Sequence, residues 1–357
     1  MGKNLPPRVF LKNGRYYLVR AEGAKRVWKP LTRERDGLPE LYRALAAIES
    51  EALADDRMPA MIETWKREVM ARHADKTQIN ELARCTAIAT AFAEFRAREV
   101  TAPDAAEFLR QFRDRPRTHN LYRALLRELM RFAVEKGHRA DNPIGSLRTM
   151  STPPRHRYIT DSELRRIQAG ACRGDDGLKT RSGRMIAALV TVAYLTGQRI
   201  GDLLELRWER DPDDLNTPHI TSEGLRFRPS KTRGSTGTAV LIQWTPRLVE
   251  AIERLRAMHA ERLLKKRADQ RIISGHVFTT QAGTPLTYSA VASAWRRACA
   301  RAKVQDAHIH DLRAKALTDK DAREGMAAAR AMGAHSTEAQ TADYVRHRTA
   351  RKTRATR

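Results

Sequence analysis

Cysteine is scarce: the chain holds three, Cys85, Cys172 and Cys299, far apart and without metal-ligand spacing. An odd and dispersed set argues against a disulfide framework and fits a reducing compartment. Long apolar runs are missing as well. No stretch of about 18 apolar residues occurs, and "MGKNLPPRVF" lacks the apolar segment of a secretory signal, so a soluble cytoplasmic protein with no membrane partner is expected. Walker-type, G-x-G-x-x-G and G-x-S-x-G loops are absent. His308 and His310 in "HIH" stand too close for a helical metal-binding pair, and no carboxylate–histidine motif accompanies them. Neither a cofactor nor a metal is therefore expected.

What is present in excess is positive charge. Lys and Arg number 67 against 42 Asp and Glu, a formal net charge of +25. Such an excess favours a polyanionic partner through counterion release, with nucleic acid the first candidate. The basic residues are interleaved with acidic ones in amphipathic segments instead of being confined to a tail, which indicates a folded binder. At 357 residues the chain exceeds what one core usually serves, so two or three domains are expected.

Residues 9–31 alternate apolar and basic side chains around Asn13-Gly14, the strongest short hairpin signal, with a second Gly-containing turn at Glu22-Gly23. This predicts a small three-stranded sheet whose Lys/Arg, Tyr16, Tyr17 and Trp28 suit a DNA groove. A helical segment follows over about 40–56, and residues 58–147 carry several helical patterns. In the last of them Leu121, Leu125, Leu129 and Phe132 fall on one face, with Gly137 as the stop and Pro143 beyond. The aperiodic stretch 145–160, with Pro153-Pro154, reads as a linker. Thr160 and Glu163 then form a capping box, followed by a strongly apolar helix, a Thr-Gly break and a further helix over 184–209. Residues 219–245 switch to period-two alternation, and helix returns from about 246 to 347.

Four segments could carry chemistry. "AYLTGQRIGDLLELRW" holds Arg199 at a helix start, with Asp202 three residues on to orient a guanidinium that can fork onto a phosphate. "RPSKTRGSTG" puts Lys231 near a hairpin tip. "HIHDLRAKAL" sets His310 and Arg313 on one helical face. "ARAMGAHSTEAQTADYVRH" places His335 and Tyr344 on either side of a bend, the tyrosine in a short helix of its own. Taken singly, each is commonplace: a surface Arg–Asp pair, a solvated lysine, a chance His-x-x-Arg, a packing tyrosine. Together they supply charge stabilisation for phosphoryl oxygens, a nucleophile and proton donors.

In this order, within the frame "LTGQRIGDLLEL", the residues resemble the catalytic domain of the tyrosine recombinases, or phage integrases, in particular the bacteriophage lambda integrase group. The resemblance covers essentially the whole chain. It implies a multidomain, mainly α protein with small antiparallel sheets: an arm-type DNA-binding domain with its connecting helix over 1–56, a helical, SAM-like core-binding domain over 57–150 and a mixed α+β catalytic domain over 151–357. It further implies that Arg199 and Arg313 bind the scissile phosphate and that Lys231 protonates the departing 5′ oxygen. His310 and His335 would stabilise charge or shuttle protons, Tyr344 would form the 3′-phosphotyrosyl link and Asp202 would support Arg199. The activity implied is site-specific recombination through a Holliday junction without metal or ATP, integrating and excising a phage or other mobile element.

The partners implied are core-type and arm-type sites on double-stranded DNA, three further copies of the chain in a homotetramer, DNA-bending accessory proteins and an excisionase, in the nucleoid of a bacterial host. Two departures stand out: Gly333-Ala334 where the family often has Leu-Gly before the histidine, and "AKALTDK" after Arg313 in place of the commoner His-Thr-Phe-Ala. Both bear on local helix packing and neither removes a reacting group. A silent DNA-binding regulator of the same fold, a type IB topoisomerase-like relaxase and a basic RNA-binding protein are the competing classes.

Overall fold

The computed structural model describes residues 5–345 except 23, 24, 154, 230–238, 266, 268 and 270. The chain divides into two compact units, residues 1–153 and 154–357. No helix among the described residues is long and apolar enough to cross a membrane.

The first unit begins with three antiparallel strands in the order β1 (Val9–Lys12), β2 (Arg15–Glu22) and β3 (Lys25–Arg33). Lys12 pairs with Arg15, which leaves Asn13 and Gly14 as a two-residue loop with φ of 50° and 70°. Both lie in the left-handed region, the geometry that makes Asn-Gly the preferred pair for a hairpin of this twist. The second turn, at Gly23, falls outside the described residues. One face of the sheet buries Val9 and Tyr16 against Leu41 of α1 (Gly37–Asp55). The other exposes Phe10 and Trp28, 5.6 Å apart between ring centroids, with Lys12 Nζ 5.7 Å from the Trp28 ring.

Helices α2 (Met58–Glu68), α3 (Asp75–Ala91), α4 (Ala102–Arg110) and α5 (Pro116–Glu135) enclose a second core around Trp65, Ile88, Leu126, Leu129 and Met130. The face expected of α5 is displaced at its start. Leu121 is exposed, and its neighbour Tyr122 turns inward to stack on Phe112 with ring centroids 4.3 Å apart. The buried line then runs through Leu125, Leu126, Leu129, Met130 and Ala133, the angular drift of a 3.6-residue helix on a fixed core. The aperiodic stretch that follows is less free than its composition implies. Asn120 exchanges two hydrogen bonds of 2.8 Å with the Met150 backbone, and Arg123 Nε donates to Leu147 O at 2.6 Å.

The second unit opens with the Thr160–Glu163 capping box at the start of α6 (Asp161–Cys172). α7 (Gly183–Thr196), α8 (Ile200–Leu204), α9 (Pro246–Leu264) and α10 (Tyr288–Arg301) pack around Ile159, Leu189, Leu203, Leu255, Phe278 and Trp295. A three-stranded antiparallel sheet, β4 (His219–Ile220), β5 (Gly224–Phe227) and β6 (Val240–Gln243), lies against them. α11 (Asp311–Glu324), α12 (Met326–Gly333) and α13 (Glu338–Ala342) complete the described chain.

α12 ends at Ala334 with φ 49° and ψ 46°, a left-handed position that glycine fills without steric cost. Ala334→Gly removes a Cβ penalty of about 1–2 kcal/mol and gives back part of it as unfolded-chain entropy. The expected net gain is about 0.5–1 kcal/mol, measured as a higher melting temperature; a lower one would show that this cap is unstrained.

Candidate active site

Four helix ends meet around one arginine. Gly197, in the left-handed region at φ 64°, ends α7 and turns its carbonyl out of the helix, where it accepts from Arg313 Nη1 at 2.8 Å. Gly333, the last residue of α12, accepts from Arg313 Nη2 at 2.6 Å. Both acceptors are therefore at helix C-termini, where the macrodipole favours a cation. Arg313 is 2% exposed. Burial first, and then the positive charge of Arg199, pulls its pKa down to about 10, so it remains charged at neutral pH.

Arg199 is the residue at which α8 begins, in extended conformation immediately after the turn. Asp202 is buried within α8, its Oδ2 3.9 Å from Arg199 Nη1. Between Gly197 and Arg199, the buried Gln198 donates from Nε2 to Thr196 O at 3.1 Å and to Met332 O at 2.7 Å, tying the ends of α7 and α12 together. Arg199 Nη1 and Arg313 Nε are buried donors with no hydrogen-bond acceptor among the described residues. Two neighbouring guanidiniums with unfilled donors are suited to an incoming anion.

His335 is nearly buried. Its Nε2 lies 2.8 Å from Arg313 Nη2 and its Nδ1 3.1 Å from Thr341 Oγ1. Arginine can only donate, so Nε2 accepts and the ring proton resides on Nδ1, facing the threonine. Burial, then the charges of Arg313 and Arg199, depress the imidazole pKa to about 4. The Tyr344 ring stacks on His335 at 5.1 Å and 25°, with the Arg313 guanidinium 5.2 Å from its centroid. Its Oη is 3.1 Å from Nε2 of the exposed His310, the residue preceding α11.

Arg313, His335, Tyr344 and His310 are thus in direct contact, and Arg199 with Asp202 stands beside them. Lys231 lies outside the described residues. The expectation of a separate helix for the tyrosine needs correction: α13 ends before it, and Tyr344 sits in the closing turn, its N–H donating to Thr341 O at 2.9 Å. Thr341, fully buried, therefore fixes both His335 and Tyr344. Sequence reasoning missed it, although the spacing Thr-x-x-Tyr at a helix end could have suggested it.

The departure after Arg313 has a structural outcome of its own. Lys315 is fully buried, its Nζ 2.8 Å from Tyr158 Oη, 3.0 Å from Asp319 Oδ2 and 2.5 Å from Asp161 Oδ1. It also lies over the rings of Tyr158 and Tyr194, at 4.7 and 5.0 Å. Burial alone would lower its pKa, but the hydrogen bonds to Asp161, Tyr158 and Asp319 raise it on balance, so the ammonium persists.

One buried and one partly buried arginine, two histidines and a stacked tyrosine converge at helix ends, a donor set of the kind suited to a phosphoryl group. The pattern of the Phage integrase family matches residues 157–351, more than half of the chain. The chain belongs to the phage integrase family, the tyrosine recombinases. The integrase of Enterobacteria phage 434 is 23% identical over 220 residues, 58% of this chain and 60% of that protein. The chain thus spans about 60% of the length of such a relative. Among solved structures, a lambda integrase dimer bound to a COC′ core site matches with a TM-score of 0.68 at 17% identity, covering 100% of this chain and 99% of the other. A lambda integrase tetramer bound to a Holliday junction matches with a TM-score of 0.65 at 19% identity, covering 94% and 97%. The second pair of matches shows a shared fold, including the N-terminal three-stranded sheet, the helical middle and the small sheet of the second unit.

Because His335 is held neutral, its share of stability is intact above its ordinary pKa of about 6.5 and is lost as pH falls from there towards 4. An NMR titration of the imidazole nitrogens should show a neutral ring protonated on Nδ1, with its midpoint near 4. A midpoint at the ordinary histidine value would contradict the buried contact with Arg313.

Proposed function

We propose that the protein is a site-specific DNA recombinase that cleaves and rejoins duplex DNA through a 3′-phosphotyrosyl intermediate. The observation that carries this is Tyr344 Oη, 3.1 Å from His310 Nε2, on a ring packed over the guanidinium of Arg313. Arg199 and Arg313 bind the non-bridging oxygens of the scissile phosphate, filling their vacant donors. Asp202 orients Arg199. His310 accepts the phenolic proton as Tyr344 Oη attacks phosphorus; the P–O5′ bond breaks and Lys231 protonates the departing 5′ oxygen. His335 presents neutral Nε2 to Arg313, holding that guanidinium against both helix ends. The phosphotyrosyl ester keeps the energy of the broken phosphodiester, so a 5′-hydroxyl from a partner strand can attack it without ATP.

Strand exchange in this way requires four protomers on a Holliday junction, the assembly in which lambda integrase has been solved. The exposed Phe10–Trp28 face with Lys12 supports arm-type DNA binding by residues 1–56, and the basic composition supports core-type binding by 57–150 and 151–357. Bending proteins and an excisionase complete the expected partners, and integration and excision of a phage or other mobile element is the biological outcome.

In EDTA without ATP, nicked duplexes tiled from DNA flanking the gene should yield an SDS-resistant adduct with the wild type and none with Tyr344→Phe, at equal DNA affinity. Tight binding with no adduct from either would favour the silent DNA-binding regulator. Deleting residues 1–56 should spare core-site footprints and abolish those at separate arm sites; unchanged footprints at both would remove the arm-binding assignment.

A further inference from the structure

One guanidinium outside the phosphate-binding cluster grips the segment that carries His310. Arg155 donates from Nε to Asp311 Oδ1 at 3.0 Å and from Nη2 to Asp311 Oδ2 at 2.9 Å. From Nη1 it also donates to Asp306 Oδ1 at 2.8 Å, and from Nη2 to the Asp306 carbonyl. Asp306 stands at the middle of the loop 302–310 and Asp311 opens α11, so Arg155 staples the second half of that loop at both of its ends. Asp306 itself is a left-handed residue, φ 49°, in a conformation that costs a non-glycine side chain energy unless its surroundings hold it. The turn between is closed reciprocally: His308 N–H donates to Asp311 Oδ2 at 2.8 Å, and Asp311 N–H donates to His308 O at 2.9 Å. His310 sits inside that turn, and Arg313 follows one helical turn later.

The same stretch has a second anchor. Tyr158 Oη donates to Asp319 Oδ1 at 2.5 Å and accepts from Lys315 Nζ at 2.8 Å. From Arg155 to Tyr158 an extended chain advances about 10 Å, and from Asp311 to Asp319 a helix rises about 12 Å. Residues 155–158 therefore lie along α11 from its first turn to its third. Asp311 is 4% exposed. Removing Arg155 would leave a buried carboxylate without its bidentate cation, which a folded chain relieves by moving the carboxylate towards water. That movement would carry His310 with it.

We propose that Arg155 is a positioning residue for cleavage: through its fork on Asp311 and its hold on Asp306 it fixes the turn that sets His310 against Tyr344. The inference rests on the recombinase reading above. It makes the segment entering the second unit part of the apparatus that orients the reacting groups, and Arg155 is suited to this by a bidentate geometry that lysine cannot reproduce.

The test measures DNA affinity and the single-turnover rate of adduct formation on one nicked duplex for the wild type, Arg155→Ala, Arg155→Lys and the double variant Arg155→Ala/Asp311→Asn. The Arg155→Ala rate should fall by about 100-fold while Kd stays within about twofold of wild type. Arg155→Lys, which keeps the charge but loses the fork, should fall between them; it carries the test if the alanine variant does not fold. Neutralising the stranded carboxylate should make the double variant faster than Arg155→Ala. Wild-type rates in both single variants, or a loss of affinity as large as the loss of rate, would overturn the inference while leaving the recombinase reading intact. No adduct from the wild type itself would overturn both.

Discussion

Arg313 donates from a single buried guanidinium to Gly197 O, Gly333 O and His335 Nε2, and in doing so joins the end of α7, the end of α12 and the loop before α13. A buried cation is tolerated only where fixed dipoles replace water. Here the replacement comes from two helix C-termini, each presenting a carbonyl with no helical partner. The glycines serve different ends. Gly197 supplies the left-handed turn that redirects the chain into Arg199. Gly333 supplies space, because a Cβ there would stand 3.0 Å from the His335 ring.

From this constraint the chemistry of the neighbours follows. Arg199 beside Arg313 is an unfavourable pair of like charges, and both carry a donor with no acceptor among the described residues. The histidine wedged between Arg313 and Thr341 stays neutral because a second proton would add a third cation to a nearly dry site. Tyr344 packs on the His335 and Arg313 planes, which limits its ring to a narrow range of orientations and leaves Oη directed at His310.

Much of this was legible in sequence because it is local or ordered. Asn13-Gly14 marked a hairpin by turn chemistry, Thr160 and Glu163 marked a helix start, and the succession Arg199, Lys231, His310-x-x-Arg313, His335, Tyr344 carried the family resemblance. Contacts that depend on backbone atoms or distant partners were not legible. Nothing in residue type reveals that Gly197 and Gly333 carbonyls hold Arg313, or that Arg155 reaches across more than a hundred positions to Asp311. The unusual "AKALTDK" segment was a warning without content until Lys315 met Tyr158, Tyr194 and Asp319 in space. Leu121 shows the opposite limit: the apolar pattern was right for α5 as a whole and wrong at its second turn, where an aromatic neighbour filled the core instead.

The central claim is that these groups form one phosphotyrosyl centre with Tyr344 as the nucleophile. Its most direct test is to trap the covalent protein–DNA complex, digest both components and map the nucleotide-bearing peptide by mass spectrometry. The account predicts a 3′-phosphonucleotide on the peptide containing Tyr344. The same mass on a peptide containing Tyr158 or Tyr194, or on a residue that is not a tyrosine, would contradict it.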